Sequence, residues 1–181
     1  HQNFMVFSDA TQFFWQGISP YTTEFVEAHG RYFLYSPVFT VLFAPFAYLP
    51  AWLGPFAWNL FNYSLFFMAI FTLPQQFTQQ QKCRMFLFLL LILGQSLLSF
   101  QYNITVAYLF LFAYTLLEKD RGFLAVLLIM ISGCTKVYGI FELALLLCYP
   151  HVWRNFGYAV AMGIVLLTLP LIKIAPADLL P

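Results

Sequence analysis

A lysine, Lys136, stands in the middle of an apolar run that extends over residues 122–147. A charge at membrane depth is costly, so such a residue usually lines a substrate or ion path instead of facing lipid. A second charge, Asp9, belongs to a polar stretch near the beginning of the chain, where water is expected to reach it. These two charges together predict a membrane enzyme.

The composition indicates an integral membrane protein. Of the 181 residues, 62% are hydrophobic and 8% are charged, with a mean hydropathy of +0.79, whereas soluble domains carry about 25% charged residues. The net charge of +1 argues against a nucleic-acid partner, which would require a basic face. The three cysteines, Cys83, Cys134 and Cys148, are too few and too scattered for a disulfide framework or a zinc site. No motif requires a metal or another cofactor.

Residues 1–35 are too polar and too rich in turn residues to cross lipid as a helix, and we predict an extracytoplasmic loop. Ser8 as an N-cap and Gly17 as a stop predict a helix of about two turns over residues 9–16. Aromatic residues within it would hold this helix at the headgroup level. The chain begins at His1, without an initiator Met, which predicts that it is a piece of a longer protein.

The remaining residues, 36–181, predict an all-α, polytopic transmembrane bundle of about five to six spans or half-spans. Prolines divide its beginning into two parts. Because about 20 residues are needed to cross the hydrocarbon core, residues 37–49 predict a half-helix and residues 51–73 predict a full span.

The later apolar runs predict two hairpins and one further span. Residues 85–100 and 104–117 form the first hairpin, with a polar turn between them. The run 122–147 is too long for one comfortable span, so we expect it to rise, break near Lys136 and return. Residues 156–174 predict the last span.

The basic residues of the connectors set the expected orientation. Short cytoplasmic loops collect Lys and Arg, and such residues lie in three connectors: Lys82, Arg84, Lys119, Arg121 and Arg154. If these connectors share the cytoplasmic side, Gln101, Asn103 and Lys136 lie towards the opposite face, together with residues 1–35. The sequence therefore predicts one extracytoplasmic site in which Asp9 and Lys136 share a cavity.

Four segments, in this order, resemble the GT-C class of integral-membrane glycosyltransferases, in particular glycosyltransferase family 87. They are DATQFFWQGISPY at 9–21, YFLYSPVFTVLFAPFAYLP at 32–50, QYN at 101–103 and GCTKVYG at 133–139. The chain departs from the family pattern at two positions: Phe100 stands where the family usually has Gly, and Gly139 where it often has Pro.

The resemblance implies a GT-C-like bundle and an inverting transfer of a mannose-like sugar. The donor would be a polyprenyl-phosphate sugar, the acceptor a glycan or glycolipid hydroxyl, and the location the outer face of a bacterial inner membrane. Asp9 would be the catalytic base on the acceptor hydroxyl.

The resemblance also implies substrate-binding residues. Lys136, with Arg31 as a second cation, would stabilise the charge that builds on the departing phosphate. Gln101 and Asn103 would bind sugar hydroxyls. The aromatic surface would hold the sugar face or the isoprenoid tail, and its candidate residues include Tyr21 and Tyr35.

Several alternatives remain open at the level of sequence. Asp9 can simply complement a helix dipole, and Lys136 can pair with Glu142 if the helix breaks between them. The remaining polar candidates can be ordinary turn or loop residues: Gln101, Asn103 and Arg31. The whole chain can also be a transporter or flippase with broken helices, or a non-catalytic membrane subunit.

Overall fold

The structure, a computed structural model, describes residues 2–175, except for the side chains at positions 92, 93 and 97. Position 1 of the predicted loop and positions 176–181 of the predicted bundle lie outside the described residues. Within residues 2–175 the chain is helical and contains no strand. The prediction of an all-α fold is confirmed for this part of the chain.

The elements follow the predicted runs closely. In chain order they are α1 (Gln2–Trp15), α2 (Thr23–His29), α3 (Pro37–Ala47), α4 (Leu53–Phe71), α5 (Gln79–Leu98), α6 (Asn103–Leu117), α7 (Gly122–Thr135), a 3₁₀ segment (Val137–Cys148), α8 (Val152–Thr168) and a 3₁₀ turn (Leu169–Ile172).

The predicted start of the first helix is wrong. Helix α1 begins at Gln2, and Ser8 lies inside it instead of capping it. The Ser8 hydroxyl donates to the carbonyl of Ala47 on α3, at 3.2 Å. The buried residues of α1, which include Phe7 and Phe14, cover α3 and its neighbours. Helix α1 is therefore a packed wall of the bundle and not only an interfacial turn.

The predicted break at Lys136 is confirmed. Helix α7 ends at Thr135, Lys136 has an extended backbone (φ −140°, ψ 122°), and the 3₁₀ segment begins at Val137. The 3₁₀ segment folds back against α7 so closely that a Cβ built at Gly139 would lie 2.6 Å from the carbonyl carbon of Ser132. The break directs the lysine side chain away from the apolar run that surrounds it in sequence.

Three groups of buried residues form the core. The first is aromatic and joins α1, α2, α3 and α4 to the turn before α6; the ring of Phe7 meets that of Phe39 at 4.8 Å between centroids, and Phe43 meets Trp58 at 5.0 Å. The second joins α6, α7 and α8, and the third joins α4 to α6. The site described below lies at the edge of the aromatic group.

One helical stretch among the described residues, Val152–Ile172, is long and apolar enough to cross a membrane. Four other apolar helices are shorter: α3, α6, α7 and the 3₁₀ segment. The predicted number of five to six spans or half-spans stays a prediction.

Candidate active site

A cavity of about 860 Å³ lies between α1, the loop before α3, the turn before α6 and the junction at Lys136. We call it the cation cavity. Its wall is formed by Asn3, Val6, Phe7, Gly30, Arg31, Tyr32, Phe33, Leu34, Tyr35, Gln101, Asn103, Lys136 and Tyr138. The predicted convergence of Arg31, Tyr35, Gln101, Asn103 and Lys136 is thus observed in the structure.

Lys136 has only neutral partners in this wall. Its Nζ donates to Asn103 Oδ1 at 2.9 Å and to the hydroxyl of Tyr35 at 3.4 Å. It also lies over the rings of Tyr35 and Tyr138, at 5.0 and 4.8 Å from their centroids. No carboxylate among the described residues pairs with it. The ammonium charge is therefore held in place without being neutralised.

The alternative pairing of Lys136 with Glu142 is not formed. Glu142 is buried between the 3₁₀ segment and α7, and its Oε1 accepts a hydrogen bond from Ser132 at 2.8 Å. The break at Lys136 sends the two side chains to different neighbours.

Asn103 links the polar groups of the cavity. Its Oδ1 accepts from Lys136 and from the hydroxyl of Tyr138, and its Nδ2 donates to Gln101 Oε1 at 2.8 Å. Sequence reasoning did not single out Tyr138, although its place two residues after Lys136 in the GCTKVYG segment was a usable signal. The residue before this turn, Phe100, has φ +54°, a region that favours glycine.

Arg31 is the second cation of the cavity. It is exposed, and its guanidinium donates to Asn3 Oδ1 at 3.2 Å and to Gln2 Oε1 at 2.6 Å. Both acceptors are neutral amides, and no carboxylate in the described part of the chain pairs with it. The wall therefore contains two cations and no acidic residue.

Tyr21, predicted to bind substrate, does not belong to the cavity wall. Its hydroxyl donates to the carbonyl of Tyr35 at 2.6 Å. Burial raises the pKa of Tyr21 above its ordinary value, so the phenol keeps the proton that makes this bond. Ser36 fixes the same loop from the other side, because its N–H donates to the carbonyl of Thr135 at 3.2 Å. Tyr21 therefore supports the position of Tyr35.

Asp9 lies in a different cavity, so the expectation that Asp9 and Lys136 share one cavity is wrong. This second cavity has a volume of about 760 Å³, and we call it the carboxylate cavity. Its wall is formed by Phe4, Met5, Ser8, Asp9, Gln12, Ala47, Leu49, Ala51, Trp52 and Pro55. On α1, Asp9 lies between Val6, which lines the cation cavity, and Met5 and Gln12, which line the carboxylate cavity, and its carboxylate lines the second.

The Asp9 carboxylate is paired with His29, a residue that the sequence analysis did not propose for the site. His29 Nε2 lies 2.8 Å from Asp9 Oδ2, and His29 Nδ1 lies 2.8 Å from the carbonyl oxygen of Phe25. Gly30 and Arg31 follow His29 directly and line the cation cavity. The His29 side chain thus lies between the Asp9 carboxylate and the rim of the cation cavity.

An apolar groove of about 360 Å³ adjoins the cation cavity. It is lined by residues of α3, α4, α6 and α7 and by the turn before α6: Phe39, Leu42, Phe43, Pro45, Phe46, Trp58, Phe61, Leu65, Tyr102, Thr105, Tyr108, Leu109 and Ile131. The ring of Tyr35 in the cation cavity lies 4.8 Å from that of Phe39 and 5.9 Å from that of Tyr102. An aromatic surface therefore joins the two spaces.

The profile of glycosyltransferase family 87 matches residues 33–180. The chain belongs to glycosyltransferase family 87. Comparisons with curated proteins and with solved structures gave no match. The matched region of this family 87 chain contains Tyr35, Gln101, Asn103 and Lys136, whereas the N-terminal candidates precede it: Asp9, Tyr21 and Arg31.

Family membership makes the chain a membrane-associated glycosyltransferase, with a sugar donor and an acceptor as substrates. The resemblance seen in the sequence is thereby confirmed. The broken helix at Lys136 alone would also suit a transporter, but the family match decides for the enzyme. Among the described residues no cluster of His, Cys, Asp or Glu could hold a metal ion.

Proposed function

We propose that this glycosyltransferase moves a mannose-like sugar, with inversion, from a polyprenyl-phosphate donor to a hydroxyl of a glycan or glycolipid acceptor. We place the reaction at the extracytoplasmic face of the membrane, which for a bacterial protein would be the inner membrane. The observation that carries the proposal is the charge of the cation cavity: two cations, and no carboxylate, in its wall.

The phosphate of the donor would bind at Lys136. When the bond between the sugar and the phosphate breaks, negative charge builds on the departing phosphate oxygen. A cation fixed beside that oxygen lowers the energy of the transition state more than that of the bound donor. Lys136 meets this requirement because its neighbours hold its ammonium without cancelling its charge. Arg31 would add a second, more exposed charge.

The hydrocarbon part of the donor would occupy the apolar groove. This groove begins next to the aromatic surface of Tyr35, Phe39 and Tyr102. With the phosphate at Lys136, the isoprenoid of the donor would therefore extend into the groove. The wall of the groove is almost entirely apolar, which suits an isoprenoid and offers little to the polar groups of a nucleoside. Gln101 and Asn103 would bind hydroxyls of the sugar at the phosphate end.

Asp9 would be the base that takes the proton of the acceptor hydroxyl. An inverting displacement needs the attacking hydroxyl and the departing phosphate on opposite sides of the anomeric carbon, so the base need not lie among the phosphate ligands. The acceptor would therefore approach from the carboxylate cavity, where Trp52 is 77% exposed and its indole can pack against the apolar face of a sugar ring. The reacting groups would meet at the rim of the cation cavity beside Gly30.

The test is a transfer assay with the full-length protein reconstituted in lipid. A radiolabelled mannose is offered as polyprenyl-phosphate mannose or as a nucleotide-activated mannose, and the anomeric configuration of the product is determined. We expect transfer from the lipid donor alone, with inversion. Unlabelled polyprenyl phosphate should compete with the donor, and the prenol without phosphate should compete much less. Equal use of the nucleotide donor, or equal competition by the prenol, would exclude the proposed donor.

A further inference from the structure

We propose that His29 is a positioning residue for Asp9: it holds one oxygen of the carboxylate and leaves the other directed to the acceptor hydroxyl. This inference rests on the proposed role of Asp9 as the base. The observation is the pair itself, because residues 20 positions apart on two helices meet at 2.8 Å between His29 Nε2 and Asp9 Oδ2.

Both nitrogens of His29 face acceptors. Nδ1 lies 2.8 Å from the carbonyl oxygen of Phe25, one turn earlier in α2, and Nε2 lies 2.8 Å from Asp9 Oδ2. A carbonyl oxygen can only accept, so Nδ1 carries a hydrogen at the first contact. The second contact joins Nε2 to the carboxylate through one shared hydrogen, and the two contacts together fix the orientation of the ring.

The ring of His29 is held on its faces as well as at its nitrogens. It stacks on the ring of Phe25 at 4.3 Å between centroids and meets the edge of Phe13 at 6.5 Å. Phe25 is fully buried, and the side chain of His29 is 17% exposed. Helix α2 is fixed at both ends, by the Thr22 side chain that accepts from the N–H of Phe25 and by Gly30 at φ +63°. The imidazole ring is thus a rigid support.

Asp9 uses one of its two oxygens in this pair. Oδ1 has no hydrogen-bond partner among the described residues, and the Asp9 side chain is 34% exposed in the carboxylate cavity. In the transfer step the acceptor proton moves to Oδ1, the acceptor oxygen bonds to the anomeric carbon, and the bond to the phosphate oxygen breaks with its electron pair. Asp9 later releases the acceptor proton to water.

A purely structural ion pair that ties α1 to α2 would show the same distances, so the test separates the two roles. It uses His29→Phe, which keeps the ring stack without the hydrogen bond, His29→Gln, which restores a donor, Asp9→Asn, and the double variant His29→Phe with Asp9→Asn. His151→Asn is the matched control, since His151 is exposed and lies in another connector.

For the positioning role we expect His29→Phe to lower kcat at least about tenfold while the donor KM changes less than about twofold, because the base is misoriented but the donor site is intact. His29→Gln should recover activity above His29→Phe, and the double variant should be no slower than Asp9→Asn alone. An unchanged kcat in His29→Phe, no recovery by His29→Gln, or additive losses would overturn the inference.

The same variants also test the pair of Asp9 and His29 in a stability measurement that needs no catalytic turnover. Midpoints of thermal unfolding for the wild type, His29→Phe, Asp9→Asn and the double variant give the coupling between the two side chains. A coupling near zero overturns the inference whatever the activity. A wild type that transfers no sugar, but shows this coupling, would instead refute the proposed function and leave the pair established.

Discussion

The cation cavity and the carboxylate cavity lie on different sides of α1 and carry opposite charge. The first contains Lys136 and Arg31 without an acidic residue, and the second contains Asp9 without a cation in its wall. Had Lys136 and Asp9 shared a cavity, they would attract each other by about 4 kcal/mol at 4 Å near a protein surface, and each would be less available to a substrate. Separation keeps the cation free for an anion and gives the carboxylate its own partner, His29.

This separation indicates that each charge serves a different substrate, Lys136 the donor and Asp9 the acceptor, instead of pairing with the other. Changes in the carboxylate cavity should then affect proton transfer without changing donor binding, and changes in the cation cavity should affect the binding of the donor and the departure of its phosphate. Substitutions at four residues test this division.

The largest effect is expected for Asp9→Asn, which keeps the shape of the side chain and removes the base. We predict a fall in kcat of about 10²–10⁴-fold, with the donor KM nearly unchanged. Initial rates over a range of donor concentrations measure both quantities. A matching change in donor KM would show that Asp9 also belongs to the donor site.

Next in size is Lys136→Met, which keeps the length of the side chain and removes its charge. We predict a loss in kcat/KM for the donor of about 10²–10³-fold and weaker binding of polyprenyl phosphate. Lys119→Met is the control, because Lys119 is exposed in the connector before α7. Retention of lipid-phosphate binding in Lys136→Met would remove this lysine from the phosphate site.

A smaller effect is expected for Tyr138→Phe. The ring over the Lys136 ammonium remains, and only the hydroxyl that donates to Asn103 is lost. One hydrogen bond of this kind contributes about 0.5–1.5 kcal/mol, so we predict a rise of a few-fold in donor KM. Tyr138→Ala, which also removes the ring, should have a larger effect. Equal effects of the two variants would assign the contribution of Tyr138 to its hydroxyl alone.

The smallest effect is expected for Arg31→Gln, since exposed charges interact weakly and are screened by salt. We predict a rise in donor KM of about twofold to fivefold at low ionic strength. The difference from the wild type should disappear at high ionic strength. An effect that persists in high salt would mean that donor binding buries the Arg31 guanidinium.

The sequence was sufficient to predict the break at Lys136 and the meeting of Lys136 with Gln101 and Asn103. Apolar run lengths and their connectors restrict where a chain can turn, and turns at the same end of a bundle lie close together. The GCTKVYG segment also contains Tyr138, which the sequence analysis did not propose as a site residue.

The direction of Asp9 and its pairing with His29 could not be predicted in the same way. The side of a helix on which a residue lies depends on the packing of the whole helix, and α1 includes apolar residues before Ser8 that pack against α3. The distance from Asp9 to His29 depends in turn on the path of the loop between α1 and α2, which local propensity does not determine.

The close contact at Gly139 connects a residue outside the cavity to the charge inside it. The 3₁₀ segment approaches α7 to a distance that only a hydrogen atom in place of a side chain permits. A methyl group at Gly139 would push the two arms apart, and the extended residue that joins them, Lys136, would move with them. The position of the Lys136 ammonium group therefore depends on how closely the 3₁₀ segment and α7 approach each other. A proline at position 139 would not allow so close an approach.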